Sequence, residues 1–255
     1  MLRRVRSGIP GFDDIVGGGL IKGRTYMILG GPGAGKTIFA LQFLHTGAAE
    51  YGERGVYVTL EESVDSIMHT ARQFGWDLAK LKQEEKIEIV DASPFYSPLA
   101  TSMFAVKSPG VLGEREFDMM TLITLVKQAC SRVNAERIVI DSLTPLILQY
   151  RELFEARMQI LQLTKTLSEL EGATSLIVAE LTSPTAEATL FGIEPYVVDG
   201  VILLYNIRSR AERIRAIEVL KMRGSPHSNM LHPFQITKDG IVVYPKEKVF
   251  EGGVQ

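Results

Sequence analysis

The chain has 255 residues, 45% of them apolar, which suits one large α/β domain with a full core. A formal charge of −2 gives no global pull toward nucleic acid or anionic membrane, and no apolar run approaches the length of a membrane span. A single cysteine, Cys130, rules out an internal disulfide and a cysteine-built metal site, and Met1–Arg6 lacks the apolar stretch of a secretion signal, so a reducing, cytoplasmic setting is expected.

The first strong element is a strand over 24–30, carried by the apolar run Tyr26-Met27-Ile28-Leu29. Directly after it, residues 30–37 read Gly-Gly-Pro-Gly-Ala-Gly-Lys-Thr and fit G-x-x-x-x-G-K-[ST], the phosphate-binding loop of nucleotide hydrolases. A helix over 36–50 follows, with Ile38, Leu41, Leu44 and Ala48 at helical spacing. Glycines let the backbone turn tightly and leave room for phosphate oxygens, and the inward N–H groups form a nest for an anion. The helix N-terminus adds unpaired N–H groups and its positive dipole end. Gly31, Pro32, Gly33, Ala34, Gly35, Lys36, Thr37 and Ile38 are therefore the expected ATP contacts. Lys36 is expected to reach the β- and γ-phosphates, and the Thr37 hydroxyl to hold Mg²⁺.

A strand over 55–60 ends at Glu61-Glu62, and a helix is predicted over 63–74. Ligands of open α/β sheets bind outside the carboxyl ends of the strands, so a glutamate there can orient or deprotonate an attacking water. Adjacent residues at a strand tip point in different directions; Glu61 is the preferred base, with Glu62 its partner or alternate. The competing reading makes the pair a helix-dipole complement. A further strand is predicted over 86–90. Residues 92–116 are irregular yet carry Phe95, Tyr96, Leu99, Met103, Phe104, Val111 and Leu112. They read either as an insertion packed on its own domain or as a contact segment.

A helix over 117–133 places Cys130 with Ile123, Val126 and Val133, a core position. Arg137-Ile138-Val139-Ile140-Asp141 is a buried strand ending in a carboxylate, and Asp141 is the expected second Mg²⁺ residue. Ser142, not Glu, comes next, which removes the base that many such ATPases place there. A helix over 151–171 and a strand over 174–180 complete the alternation. Strand-like runs at 199–206, 213–221, 231–236 and 241–244 then follow without helices, as an antiparallel edge would. The pattern predicts an α/β fold with a mostly parallel twisted sheet flanked by helices, in one domain over 1–255.

Lys221-Met222-Arg223-Gly224 and His227 form a late cationic cluster. Strand alternation puts Lys221 and Arg223 on one face, and Arg213 and Arg215 share that parity. Such a face is a solvated edge, a nucleic-acid surface, or a charge offered to a neighbour's nucleotide; spacing alone does not separate these. The other histidines, His45, His69 and His232, lack metal-ligand spacing.

Together these motifs resemble the KaiC-like single-domain ATPases of the RecA/RadA recombinase superfamily, of archaeal type. The resemblance rests on Ser7-Gly8-Ile9-Pro10-Gly11-Phe12-Asp13 with Gly17-Gly18-Gly19-Leu20 and Gly23, on Thr59-Leu60-Glu61-Glu62 and on Phe74-Gly75-Trp76-Asp77-Leu78. Asp141-Ser142, Val198-Asp199-Gly200-Val201-Ile202-Leu203-Leu204 and Lys221-Met222-Arg223-Gly224 complete it. It implies a RecA-like core, ATP and Mg²⁺ as ligands, and hydrolysis at the interfaces of a homo-hexameric or other ring. It also implies a nucleotide contact at Gln73, and contacts to the neighbour's nucleotide from Lys221, Arg223, His227 and Thr237. Pro195-Tyr196 stand where the clock protein has its phosphorylated pair, so clock-type autophosphorylation is not expected.

A ring ATPase that regulates an unknown protein partner is the leading reading. The alternative is a RadA-like recombinase paralogue that binds single-stranded DNA. Residues 181–198, which correspond to its DNA loops, contain no Lys or Arg and weaken it, while Arg208, Arg210, Arg213 and Arg215 sustain it. A nucleotide-binding scaffold with negligible turnover is a third reading, against which the Glu pair argues.

Overall fold

Strands that are apolar at every position need cover on both faces, and the sheet provides it. The computed structural model describes residues 3–93, 117–170, 172–181, 194–209 and 212–249. Most of 92–116 and of 181–198 thus lies outside the described residues. In chain order the elements are β1 (Arg4–Val5), α1 (Phe12–Ile15), β2 (Leu20–Ile21), β3 (Thr25–Gly30), α2 (Lys36–Glu50), β4 (Gly55–Thr59), α3 (Val64–Gln73), α4 (Leu78–Gln83) and β5 (Ile87–Asp91). There follow α5 (Met119–Val133), β6 (Arg137–Asp141), α6 (Thr144–Ile147), α7 (Leu153–Glu169), β7 (Thr174–Glu180), α8 (Glu194–Val197), β8 (Gly200–Ser209), β9 (Glu212–Met222), β10 (His232–Thr237) and β11 (Gly240–Val243).

The main sheet runs β11-β10-β9-β8-β3-β7-β6-β4-β5. β8, β3, β7, β6, β4 and β5 are mutually parallel, and β9, β10 and β11 extend the sheet antiparallel, as the late helix-free runs predict. β1 and β2 pair as a separate ribbon. Alternate residues of each strand feed two cores. Tyr26, Ile28, Tyr57, Val139, Leu176 and Val178 pack with Phe39, Phe43 and Leu44 of α2. Met27, Leu29, Val58, Ile140 and Ile177 pack with Leu122, Val126 and Ile160 of α5 and α7. Cys130 is buried in the second core, and burial pushes its thiol up to about 12.

Local chemistry sets the helix ends. The Ser63 and Asp118 side chains accept the N–H groups of Ser66 and Thr121, capping α3 and α5. Asn134 closes α5 in the left-handed region at φ 53°. α2 differs: it starts at Gly35, φ 96°, with no side chain on its first N–H groups. That leaves its N-terminus available to an anion.

One expectation fails. Val201 pairs with Lys221, but Ile202 pairs with Val219, so Leu220 is an extra residue in a bulge. The bulge inverts the alternation. Arg213 and Arg215 pair with Arg208 and Asn206 on the α2 face, whereas Lys221 shares the α5–α7 face with Val201. The four cations do not form one stripe.

Candidate functional site

The same alternation gathers polar side chains where the parallel strands end. Beyond Ile28, Val178, Val139 and Tyr57, the next positions on the α2 face are Gly30, Glu180, Asp141 and Thr59. The loop after Gly30 and the start of α2 stand over them. Lys36 Nζ donates to the carbonyls of Gly30 (2.9 Å) and Gly31 (3.2 Å). Burial lowers the Lys36 pKa, opposed by the charges of Glu180, Asp141 and Glu61. The loop is closely enclosed: a Cβ on Gly35 would lie 3.2 Å from Ile236 Cδ1, and one on Gly33 3.2 Å from Asn206 Nδ2.

Asp141 is buried and receives hydrogen bonds from the Tyr57 hydroxyl, at 2.6 Å, and from Thr37. Burial raises its pKa, and these two hydrogen bonds hold it down. A buried carboxylate beside a hydroxyl and an anion-binding loop suits Mg²⁺, which takes one or two protein oxygens and completes its shell from phosphates and water. Among the described residues no group of three His, Cys, Asp or Glu could hold a metal unaided. The site therefore fits Mg²⁺ brought with a nucleotide. Thr37, Thr59, Glu61, Glu62, Ile67 and Asp141 line a cavity of about 20 Å³, room for roughly one water.

The two adjacent glutamates differ. Glu62 Oε2 accepts from Ser66 Oγ at 2.6 Å, and its carbonyl accepts from Thr59 Oγ1 at 2.6 Å, so Glu62 is tied to the start of α3. Glu61 is exposed but feels the charges of Glu180, Asp141 and Lys36. Burial raises its pKa, helped by Glu180 and Asp141 and opposed by Lys36.

Other expected residues lie elsewhere. Gln73 ends α3 beside a stack in which Trp76 lies between Phe74 (4.8 Å) and His45 of α2 (5.7 Å). Lys221 Nζ donates to Val198 O at 2.8 Å and Arg223 to Tyr196 O at 3.1 Å, next to α8. Burial lowers the Lys221 pKa, and Arg223 adds to the effect. His227 Nδ1 is 3.4 Å from Ser225 O. Met27 pairs with Val201, which pairs with Lys221, so this cluster stands at the end of the sheet away from the phosphate loop. Thr237 does not join it. Thr237 Oγ1 donates to Gly240 O at 2.9 Å in the hairpin whose Ile236 lies over Gly35.

Glu180 and Asn206 were missed in the sequence, and Arg215 was expected on the face of Lys221. Glu180 ends an apolar strand as Asp141 does, and that signal was available. Asn206, next to Gly33, pairs with Arg215 across the strands, and Asn206 Oδ1 and Arg215 Nε are buried without a hydrogen-bond partner among the described residues. Only the bulge shows that Arg215 belongs here and not with Lys221.

A family model described as "ATPase: KaiC" matches residues 5–248. The circadian clock oscillator protein KaiC of Synechococcus elongatus is 38% identical over 96% of this chain, and that of Nostoc sp. 37% over 96%. Each alignment covers 44% of the relative, so the chain spans less than half the length of these curated proteins. A crystal structure of a KaiC-like protein from the archaeon Pyrococcus horikoshii OT3 superposes with a TM-score of 0.80 at 37% identity. It covers 96% of this chain and all of that one, and the shared architecture is RecA-like.

Proposed function

The chain belongs to the KaiC family of ATPases, and from that membership we propose that it hydrolyses ATP with Mg²⁺ at a site shared between neighbouring copies of itself in a ring. The observation that carries this reading is the separation of the two cationic sets. Lys36 lies in the phosphate loop, whereas Lys221 and Arg223 lie at the other end of the sheet and cannot serve their own nucleotide. A head-to-tail ring brings one end of each protomer to the opposite end of the next.

In this mechanism Gly31 and Gly33–Ile38 bind the phosphates through backbone N–H groups, with Pro32 shaping the loop, and Lys36 exchanges its two carbonyl partners for β- and γ-phosphate oxygens. Thr37 and Asp141 would hold Mg²⁺, which would neutralise charge on the phosphates. Glu61 takes the proton of the attacking water, and its raised pKa makes it a stronger base than an ordinary carboxylate. Glu62 fixes the tip of β4 through Ser66 and Thr59. Arg215 and Asn206 supply polar contacts from the same protomer. Lys221, Arg223 and His227 complete the neighbour's site, where such a cation is commonly worth about 10³–10⁵ in rate. Gln73 contacts the protomer's own nucleotide, and Thr237 that of the neighbour. One domain over 1–255, a cytoplasmic setting and regulation of a protein partner go with this reading.

The recombinase reading has one observation in its favour: Arg208 and Arg213 pair across β8 and β9 and present cations at one hairpin. ATPase rates of the wild type and Glu61→Gln, with and without single-stranded DNA, test both. A DNA-independent rate lost in Glu61→Gln supports the ring ATPase. Strong stimulation by DNA supports the recombinase, and equal rates in both proteins remove Glu61 as the base.

A further inference from the structure

The glycine-rich lead-in, residues 7–23, has no role in the chemistry above, yet it lies against the segment that carries Lys221, Arg223 and His227. We propose that Arg4 is a positioning residue for the trans half of the ATP site, bracing that segment through Ser225; this rests on the shared-site reading.

One guanidinium spans three partners. Arg4 Nη1 donates to Val16 O (3.1 Å) and Gly19 O (2.7 Å), and Nη2 donates to Ser225 Oγ (2.7 Å). Ser225 Oγ lies 3.3 Å from Val16 O, and Ser228 N donates to Ile15 O at 2.8 Å. The residues between Arg223 and Ser228 are therefore fastened to the lead-in at both Ser225 and Ser228. On the other side Arg223 N donates to Asp199 O at 2.8 Å. The Asp199 carboxylate is fixed by Arg24 (2.8 Å) and by Thr25 N (3.2 Å).

The glycines make the approach possible. Gly17 has φ 74°, and a Cβ there would lie 3.0 Å from Pro226 O and 3.3 Å from Ser225 Oγ. At Gly19, φ 111°, a Cβ would lie 2.5 Å from Val5 O. The lead-in thus closes on β1 on one side and on the cationic turn on the other, with Arg4 between them. A planar fork with fixed N–H directions meets three acceptors at once, which an ammonium on a flexible stem does not.

The test is complementation between co-expressed variants. Arg4→Ala is expected to bind a non-hydrolysable ATP analogue as the wild type does and to lose about 10- to 100-fold in turnover, the scale of a small misplacement. Paired with Lys36→Ala, whose own phosphate loop is dead but whose Arg4 is intact, it should recover activity at about a quarter of the interfaces, as random head-to-tail mixing gives. Lys221→Ala paired with Lys36→Ala is the control. A control pair that stays inactive overturns the shared site itself. A control that recovers beside an Arg4→Ala pair that does not, or wild-type turnover in Arg4→Ala alone, overturns the role of Arg4. If Arg4→Ala does not fold, Ser225→Ala, which removes only the hydroxyl, carries the same test with the same outcomes.

Discussion

Lys36 and Lys221 stand at opposite ends of one sheet and on opposite faces of it. Lys36 Nζ sits at the level of Gly30, where β3 ends, and Lys221 Nζ at Val198, before β8 begins. Six strand positions separate those levels, since Gly200 pairs with Tyr26 and Leu204 with Gly30, which is about 20 Å along the strands. The Lys221 backbone is level with Met27, on the opposite face and two strands from β3, and in the proposed shared site it is a second protomer that brings Lys221 to a phosphate.

The phosphate half should fail at binding. Lys36→Ala is expected to lose ATP affinity by about 100-fold or more, as removal of a charged phosphate contact from a partly buried site does. Equilibrium binding of a fluorescent ATP analogue reads this directly.

The glutamates should separate binding from chemistry. Glu61→Gln is expected to keep ATP affinity and lose about 10²–10⁴ in turnover, the range of a general base. Glu62→Gln should fall less, because its carboxylate is engaged by Ser66. Single-turnover hydrolysis with pre-bound ATP compares the two.

Glu180 should set the acid limb of the pH profile. Only ionised Glu61 accepts a proton, so kcat/KM falls as pH drops through its raised pKa. Glu180→Gln removes a neighbouring negative charge, which lowers that pKa and moves the acid limb to lower pH. A limb that stays in place, or moves up, contradicts the charge arrangement around Lys36.

Arg137 should matter to stability and not to chemistry. Its guanidinium is fully buried, pairs with Glu53, donates to the carbonyls of Phe43 and Arg6, and lies 4.3 Å from the centre of the Phe43 ring. Arg137→Ala leaves these acceptors without a donor at a cost of about 3–5 kcal/mol. For a chain of this size that lowers Tm by roughly 10 °C, measured by calorimetry.

The phosphate loop, Asp141 and the Glu pair were legible because each is a local signal: a loop between strand and helix, or a carboxylate ending an apolar run. The long strands and helices were legible for the same reason, since their periodicity lies within a dozen residues. Small elements such as α4 were not, because Leu78–Gln83 is too short to show a period and depends on the Asp77 cap and on packing of Leu78 and Leu81. The sides taken by Arg215 and Lys221 were hidden by the bulge at Leu220, which depends on pairing between strands. Glu180 carried the Asp141 signal, but its neighbours across the strand tips appear only once β7 is placed between β3 and β6.

Turnover per protomer across a dilution series, with mass measured at each concentration, decides whether the site is divided between two copies. A divided site makes turnover fall as the assembly dissociates and vanish in the monomer. Full turnover in a protein that light scattering shows to be monomeric would contradict it.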